Sequence, residues 1–195
     1  AAAARRSLEK NPDKAKELLA KAGHPDGFKL EATYPNLNVY GVDFTQMMQK
    51  IQQDLSKVNI KVELQPVSFA TWREKVNGDG TPLTVVYYAP DFYGTSQYVD
   101  AFGLAKGSLW AKRAGEARDP SFVIGDIQQV MADALKAPAD QADKVWFQAG
   151  EKMAAANVII PMLSPDVILA YNSKVNGVRY SACCNLPLAE ISVAK

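Results

Sequence analysis

The chain has 195 residues, 48% of them hydrophobic and 22% charged, and its 22 basic and 21 acidic side chains leave a formal net charge of +1. A chain of this length and composition can bury a sizeable core, in one or two domains. Its near-neutral charge argues against nucleic acid, a polyphosphate or an anionic membrane surface as a partner. The sequence contains no apolar run close to the roughly 20 residues that span a bilayer.

The first ten residues differ from the rest of the chain. Four alanines precede Arg5 and Arg6, and the first residue is Ala rather than Met. No apolar signal region is present here, and an export signal would have to lie upstream. We interpret residues 1–10 as an N-terminal extension or the remnant of a truncation, and residues 11–195 as the folded unit.

Regular structure is predicted to begin at Asn11, a helix cap followed by a first-turn proline. Apolar residues then recur at helical spacing until Gly23, which ends the predicted helix. After a Pro-Asp-Gly turn, residues 28–34 alternate as a strand does. The inward positions are Phe28, Leu30 and Ala32, and the outward positions are Lys29, Glu31 and Thr33.

A long amphipathic helix and two further strands follow. The helix is predicted from apolar residues that lie three or four positions apart. These residues are Phe44, Met47, Met48, Ile51, Leu55 and Val58. Residues 60–65 and 83–88 are predicted strands, and between them Ser68 caps a short helix. This order predicts an α/β fold whose open sheet is mostly parallel and flanked by helices, with right-handed crossovers.

The second half of the sequence is predicted to be less regular. Residues 103–120 contain several glycines and no clear period, which indicates a long surface excursion. Two helices with apolar stripes follow, one containing Ile127 and the other Trp146. Residues 158–163 and 167–171 are predicted strands, the first an edge strand because it contains a proline.

The loops after the strands are where a ligand is expected, because ligands of open parallel sheets bind beyond the carboxyl ends of the strands. In this sequence those ends lead into residues 34–40, 65–69 and 89–98. The third loop combines aromatic side chains with the carboxylate of Asp91, which is typical of a site for a small amine-bearing or ring-bearing molecule. The candidate ligand-binding residues are Asp91, Tyr88, Phe92, Tyr93, Trp72 and Asn36.

Three of these residues also have an ordinary structural interpretation. Asp91 either contacts the ligand or caps the helix that follows it. Trp72 either forms the floor of the crevice or packs the short helix. Asn36 either donates to the ligand or supports a turn.

Catalytic and metal sites find little support in the sequence. No Gly-x-Ser-x-Gly motif occurs, and the one histidine, His24, lies in a predicted turn, so a catalytic triad and a zinc site are both disfavoured. Gly78-Asp79-Gly80 precedes a strand, whereas phosphate-binding loops follow one. We predict no cofactor, no metal and no enzymatic activity. The alternatives are a small α/β hydrolase-like enzyme, with Asp91 and Asp100 for acid–base chemistry, and a ligand-free interaction module with a broad exposed apolar patch.

Three segments carry a resemblance to a known family. Residues 11–28 read NPDKAKELLAKAGHPDGF, residues 53–64 read QDLSKVNIKVEL, and residues 67–94 contain the short helix, the third strand and the aromatic loop. In this order they resemble the peptide/nickel class of extracellular solute-binding proteins, family five. The resemblance extends from Asn11 to about Val178.

The resemblance implies a two-lobed receptor that captures a solute between its lobes and delivers it to the membrane permease of an ATP-driven (ABC) importer. Residues 11–195 resemble the second, C-terminal lobe of such a receptor, so an N-terminal lobe is an expected partner that completes the site. The family's solutes include peptides, opines, sugars and metal chelates, and a peptide is favoured here. The implied location is periplasmic or extracellular, membrane-associated through the transporter.

Asp91 has a counterpart in the family. In relatives that bind peptides, the aspartate of this loop pairs with the α-amino group of the ligand, and Asp91 matches its position. Many relatives read Asp-Tyr-Pro-Asp-Pro at this point, whereas this chain reads Asp91-Phe92-Tyr93-Gly94-Thr95. The second carboxylate of the family pattern is therefore not found in this loop.

The two cysteines, Cys183 and Cys184, are adjacent in the sequence. Neighbouring α-carbons lie about 3.8 Å apart, below the usual disulfide range of about 4.4–6.8 Å, so a bond between them would be strained. Since the family implies an oxidising compartment, three states stay open: this strained disulfide, two thiols, or a bond to a cysteine outside the sequence.

Overall fold

Up to residue 77 the helices and strands follow one another in the order that the sequence predicts, apart from a short hairpin at residues 38–43 that was not predicted. A computed structural model describes residues 10–78, 80–89, 91–92, 94–181 and 186–194. The first elements are α1 (Pro12–Lys21), β1 (Phe28–Pro35), a hairpin of β2 (Asn38–Val39) and β3 (Val42–Asp43), α2 (Phe44–Ser56), β4 (Ile60–Val67) and α3 (Phe69–Asn77).

The later part of the chain is mainly helical. Its elements are α4 (Ser96–Phe102), α5 (Leu109–Arg113), a 3-10 turn (Pro120–Phe122), α6 (Ile127–Lys136), α7 (Ala139–Ala156), β5 (Val175–Asn176), a second 3-10 turn (Leu188–Glu190) and β6 (Ser192–Val193). The short strands β5 and β6 pair in antiparallel. None of the helices in the described ranges combines the length and hydropathy that a bilayer crossing requires.

The predicted helix caps are confirmed. The side chain of Asn11 accepts a hydrogen bond from the Lys14 N–H at 2.9 Å, and the Ser68 hydroxyl accepts one from the Thr71 N–H at 3.1 Å. Each bond satisfies one of the N–H groups that the first turn of a helix leaves unpaired. At the other end of α1, Gly23 adopts a φ of 86°, the left-handed conformation that glycine tolerates and that terminates many helices.

The centre of the fold is the parallel pair β1–β4. The two strands are in register over all their residues, from Phe28 opposite Ile60 to Pro35 opposite Val67. The pairing continues one step further, where the Asn36 N–H donates to the Val67 carbonyl at 2.8 Å. The fold is therefore a mixed α/β lobe with a parallel sheet and helices, as the sequence predicted.

Helix α2 covers one face of this sheet and forms the first core with it. The buried residues of this core are Ala32, Tyr34, Phe44, Met48, Val62 and Val85. The second face is partly covered by α3, which packs against β1. Thr33, predicted to point outward, is for this reason buried, whereas Phe28 at the open end of the strand, predicted to point inward, is exposed. The predicted inward and outward faces of β1 are thus wrong at these two positions.

A second core lies among α4, α6 and α7. Its buried residues are Val99, Ala105, Ile127 and Ala149, with Trp146 and Met153 packed against them. The two apolar stripes predicted for α6 and α7 meet here. The surface excursion predicted for residues 103–120 is wrong, because this segment contains α5 and buries Leu104 and Ala111.

Residues 83–88, predicted as the third strand, form only one bridge to the sheet. Leu83 pairs in parallel with Ala32, and no other bridge of this segment is found within the described residues. β1 ends at Pro35, three residues after Ala32, so residues 87 and 88 lie beyond the end of that strand. Backbone pairing requires a neighbouring strand, and periodicity cannot report whether one is present.

The side chains of this segment nevertheless alternate as predicted. Val85 packs into the first core, and the Tyr87 ring contacts the ring of Phe44 at a centroid distance of 6.4 Å. On the other side, Thr84 accepts a hydrogen bond from α3 and Tyr88 packs on α4. The segment is therefore an extended connection between the sheet and the helical part.

The strands predicted for residues 158–163 and 167–171 are not formed. Their composition favours strands, but within the described residues no partner strand lies alongside, and β-propensity alone does not order a backbone. Six large apolar side chains here are exposed. They are Ile160, Met162, Leu163, Val167, Ile168 and Tyr171. The predicted states of Cys183 and Cys184 lie outside the described residues.

Candidate functional site

The loop that carries Asp91 is held by one buried side-chain amide, that of Gln97. This residue lies in the first turn of α4 and is 6% exposed. Its Oε1 accepts a hydrogen bond from the Asp91 N–H at 2.7 Å and another from the Tyr88 hydroxyl at 3.3 Å. Its Nε2 donates to the carbonyl of Phe92 and, at 3.4 Å, to that of Gly94. Both ends of the amide are therefore used.

The position of Gln97 in its helix explains this arrangement. The Cα–Cβ bonds of a helix tilt toward its N-terminus, so a side chain in the first turn reaches back over the preceding loop. The N-cap position of α4 is occupied by Thr95, without a side-chain cap bond. Capping of this helix by Asp91, one of its two predicted roles, is therefore not what the structure shows.

Tyr88 is oriented by α4. Its ring meets those of Tyr98 and Phe102 edge to face, with centroids 5.4 and 5.0 Å apart. Burial raises the pKa of the Tyr88 hydroxyl, and the negative charges of Asp91 and Asp100 contribute in the same direction. The hydroxyl is therefore neutral and available as a donor at physiological pH.

Asp91 and Phe92 face solvent. The Phe92 ring is 51% exposed, and Asp91 is also exposed. Among the described residues, no Lys, Arg or His forms an ion pair with Asp91. The loop therefore presents an apolar ring next to a carboxylate whose charge is not neutralised by a described side chain. Tyr93, also predicted in this group, lies outside the described residues.

Asn36 lies at the end of the neighbouring strand β1. It is exposed, its N–H extends the β1–β4 pairing, and its Oδ1 accepts from the Thr45 hydroxyl at 3.3 Å. The ring contact between Phe44 and Tyr87 connects this region to the segment that leads to Asp91. Asn36 is thus at the predicted edge of the sheet, with one side-chain oxygen already bonded within the chain.

Trp72 belongs to a different cluster. It is 4% exposed, and its Nε1–H donates to the Thr84 hydroxyl at 2.8 Å. Its ring stacks on Phe69, and the guanidinium carbon of Arg113 lies over the Trp72 ring at 5.9 Å from the ring centroid. Of the two predicted roles of Trp72, the structure shows the packing of the short helix. The structure brings Tyr88, Asp91 and Phe92 together, whereas the contacts of Trp72 are with Thr84, Phe69 and Arg113.

Gln97 was not predicted from the sequence. Its only signal is a polar residue in the first turn of a short helix, and solvent exposure is the ordinary outcome at such a position. Two concave recesses within the described residues lie away from Asp91: one of about 420 Å³ between α2 and β4, and one of about 270 Å³ beside α3 and β1. The described residues contain no group of three His, Cys, Asp or Glu side chains placed to hold a metal ion.

The family of the chain follows from its sequence. Residues 2–110 match the bacterial extracellular solute-binding proteins, family 5 Middle, which is more than half of the 195 residues. The chain therefore belongs to the bacterial extracellular solute-binding proteins of family 5, and the predicted resemblance is confirmed. No curated protein matches the chain.

Several solved structures share the fold. The periplasmic binding protein DppA from Helicobacter pylori, in complex with peptide STSA, is 18% identical to this chain with a TM-score of 0.76. The match covers 96% of this chain and 35% of the DppA chain. The dipeptide binding protein from Pseudoalteromonas sp. SM9913, in complex with Met-Leu, is 17% identical with a TM-score of 0.68, covering 94% and 36%. MoaA from A. tumefaciens R10, in complex with mannopinic acid, is 19% identical with a TM-score of 0.62, covering 95% and 37%. The chain thus spans little more than a third of the length of these proteins.

Proposed function

We propose that this chain is one lobe of the substrate-binding component of an ATP-driven importer, and that it contributes one wall of a site for a peptide-like solute. Residues 11–195 form this second lobe, and residues 1–10 precede it. The other contacts to the solute come from an N-terminal lobe, and the membrane permease is the partner that receives the solute. The location is periplasmic or extracellular, and binding is non-covalent, without a catalytic step.

The observation that carries the proposal is the exposed Asp91 carboxylate, held on a fixed loop beside the rings of Tyr88 and Phe92. A carboxylate without a cationic partner in the described chain is a suitable acceptor for the α-ammonium of a peptide. The aromatic rings provide an apolar surface for a side chain of the solute. Family membership supports this chemistry, and two of the structural relatives hold peptides.

The site opens on the exposed surface of the lobe, as expected for a half-site. Water surrounds Asp91 in this chain, and a second lobe that closes over the solute would exclude it. An ion pair is much stronger once it is shielded from solvent, so capture and closure reinforce each other. Tyr88 and Phe92 are then on the solute side of the wall, while Trp72 supports the wall from behind and Asn36 borders it.

Titration calorimetry on the full-length protein tests this proposal. The probes are trialanine, N-acetylated trialanine and the uncharged sugar maltotriose, and the proteins are wild type, Asp91→Asn and the control Asp143→Asn. Asp143 is exposed on α7, so its substitution by Asn makes the same change of charge away from the loop. Loss of a shielded partner costs about 3–5 kcal/mol, so trialanine should bind at least about a hundredfold more weakly to Asp91→Asn.

The outcomes distinguish two questions: whether the protein is a solute receptor, and whether it binds a peptide-like solute through Asp91. N-acetylation should abolish binding to wild type, because it removes the ammonium. Tight binding of maltotriose that is unaffected by Asp91→Asn would contradict the peptide-like solute and the role of Asp91, although the protein would still be a solute receptor. Binding of none of the three probes by wild type would contradict the proposed peptide-like solute.

A further inference from the structure

We propose that Gln97 is the positioning residue of this site: its buried amide fixes the backbone that carries Asp91 and keeps the Asp91 carboxylate open to a solute. This inference rests on the proposed function for its binding arm only. Gln97 does not face the solute itself, because it is 6% exposed and both ends of its amide are bonded within the chain.

The acceptor end of the amide fixes the backbone position of Asp91. Oε1 accepts from the Asp91 N–H at 2.7 Å, so the backbone of the very residue that carries the carboxylate is bonded to α4. Oε1 also accepts from the Tyr88 hydroxyl at 3.3 Å. That hydroxyl interacts electrostatically with the Asp91 charge, and while it donates to Gln97 it does not compete with a solute for the carboxylate.

The donor end of the amide holds the other side of the loop. Nε2 donates to the Phe92 carbonyl and, at 3.4 Å, to the Gly94 carbonyl. Three residues of the loop, 91, 92 and 94, are therefore bonded to one side chain. Since this side chain belongs to α4, whose Val99 is buried in the second core, the loop is fixed to a packed element and the site is pre-organised.

Burial makes these bonds specific. The Gln97 side chain is buried, so its bonds to the loop are shielded from water and their loss is costly. Glu offers the same acceptors as Gln but, while ionised, no donor. The contributions of the two ends of the amide can therefore be measured separately. Gln97→Met removes all four bonds with a side chain of similar length, and Gln97→Glu removes the donor end alone.

The experiment measures two quantities on the full-length protein: hydrogen exchange of the Asp91 amide without ligand, and the affinity for trialanine. The proteins are wild type, Gln97→Met, Gln97→Glu and the control Gln148→Glu, an exposed glutamine on α7. Gln97→Met should speed exchange at Asp91 and weaken trialanine binding, each by about tenfold or more, while urea unfolding verifies that the protein is folded. The control should match wild type in both.

Gln97→Glu adds a pH profile, which a purely structural residue would not alter. A buried carboxyl group that faces two carbonyls favours its protonated form, and that form regains one donor. Trialanine affinity of this variant, relative to wild type at the same pH, should therefore recover as the pH is lowered from about 8 to about 5. This variant also serves if Gln97→Met fails to fold.

Two results would overturn the proposal. One is an Asp91 amide that exchanges as fast in wild type as in Gln97→Met. The other is an accelerated exchange with unchanged trialanine affinity, which would leave Gln97 with a structural role only. If wild type binds no trialanine, the proposed function fails on its own account, and the exchange measurement still decides whether Gln97 holds Asp91 in place.

Discussion

The guanidinium carbon of Arg113 lies 4.6 Å from the centroid of the Trp110 ring, and 5.9 Å from that of Trp72 on the neighbouring helix α3. Its Nε–H also donates to the Asn77 side chain at 2.9 Å, so one cation connects α5 to two residues of α3. Burial lowers the pKa of Arg113, and the nearby charge of Arg73 lowers it further. The aromatic faces compensate for part of this unfavourable environment.

Replacing Arg113 by Met should therefore destabilise the fold by about 1–2 kcal/mol, because the cation–π contacts and the bond to Asn77 are lost. Arg73→Met is the matched control. Arg73 is exposed, and its positive charge repels that of Arg113. Its removal should therefore leave stability unchanged or slightly increase it. Urea unfolding of the three proteins measures both effects, and equal losses for the two variants would contradict the role given to Arg113.

A threonine pair tests the bond between α3 and residues 83–88. Thr84 accepts from the Trp72 indole N–H, whereas the hydroxyl of Thr81 is buried without a hydrogen-bond partner among the described residues. Thr84→Val should cost about 1–3 kcal/mol, since it leaves a buried donor unsatisfied. Thr81→Val makes the same chemical change and should be neutral or stabilising. Thermal unfolding of both variants gives the comparison, and a stabilising Thr84→Val would rule out the bond.

A glycine pair tests the start of the sheet. Gly27 has a φ of 76°, and a Cβ at this position would lie 2.1 Å from the Asn59 carbonyl oxygen. Gly27→Ala should therefore destabilise by more than the roughly 1–2 kcal/mol of left-handed strain alone, because the backbone next to β4 must also move. Gly125 has neither constraint, and Gly125→Ala should be close to neutral. A folded Gly27→Ala protein with an unchanged unfolding midpoint would show that the contact is absent.

Asp54 is expected to make stability depend on pH and salt. Its carboxylate pairs with the ammonium groups of Lys10, Lys50 and Lys57 at 2.6–2.9 Å. Their hydrogen bonds hold the pKa of Asp54 well below its ordinary value of 3.8. A carboxyl group with a depressed folded-state pKa stabilises the protein above the ordinary pKa, and this contribution is lost as the pH falls below it.

Urea unfolding of wild type and Asp54→Asn across pH measures that contribution. The difference in midpoint should be largest near neutral pH and should shrink as the pH is lowered from about 4 to about 2. It should also shrink in about 1 M salt, where the screening length is about 3 Å, because all four side chains are at the surface. A difference that persists in high salt would mean that Asp54 acts by other means than its charge.

The part of the fold that the sequence predicts well is the part with local signals. Asn11 and Ser68 cap their helices as predicted, and the spacing of Phe44 and Met48 gives the buried face of α2. These signals lie within a few residues of each other, where steric and hydrogen-bonding rules decide. Residues 83–88 show the limit, because their alternation is correct while their backbone partner depends on where β1 ends.

The candidate site was likewise predicted only in part. The strand-end rule placed Asp91 and Phe92 in the loop directly after Tyr88, the last residue of a predicted strand, and the structure brings these three residues together. Trp72 was not separable from them by sequence, because its burial depends on Thr84 and on Arg113, which is 41 positions away in the chain. Gln97 was missed for a related reason: three of its four hydrogen-bond partners are backbone groups, which leave no trace in the residue types.

The unbroken register of β1 and β4 has an evolutionary consequence. The two strands pair from Phe28 and Ile60 to Pro35 and Val67, so both end at the same edge of the sheet and the loops that follow them start there. Substitutions in the loop after residue 88 alter what that edge presents without shifting the strands, since Leu83 is the one position of the described part of residues 83–95 that bridges to the sheet. Descendants of one scaffold are thus able to diverge in the side chains that this edge presents while inheriting the same foldable core.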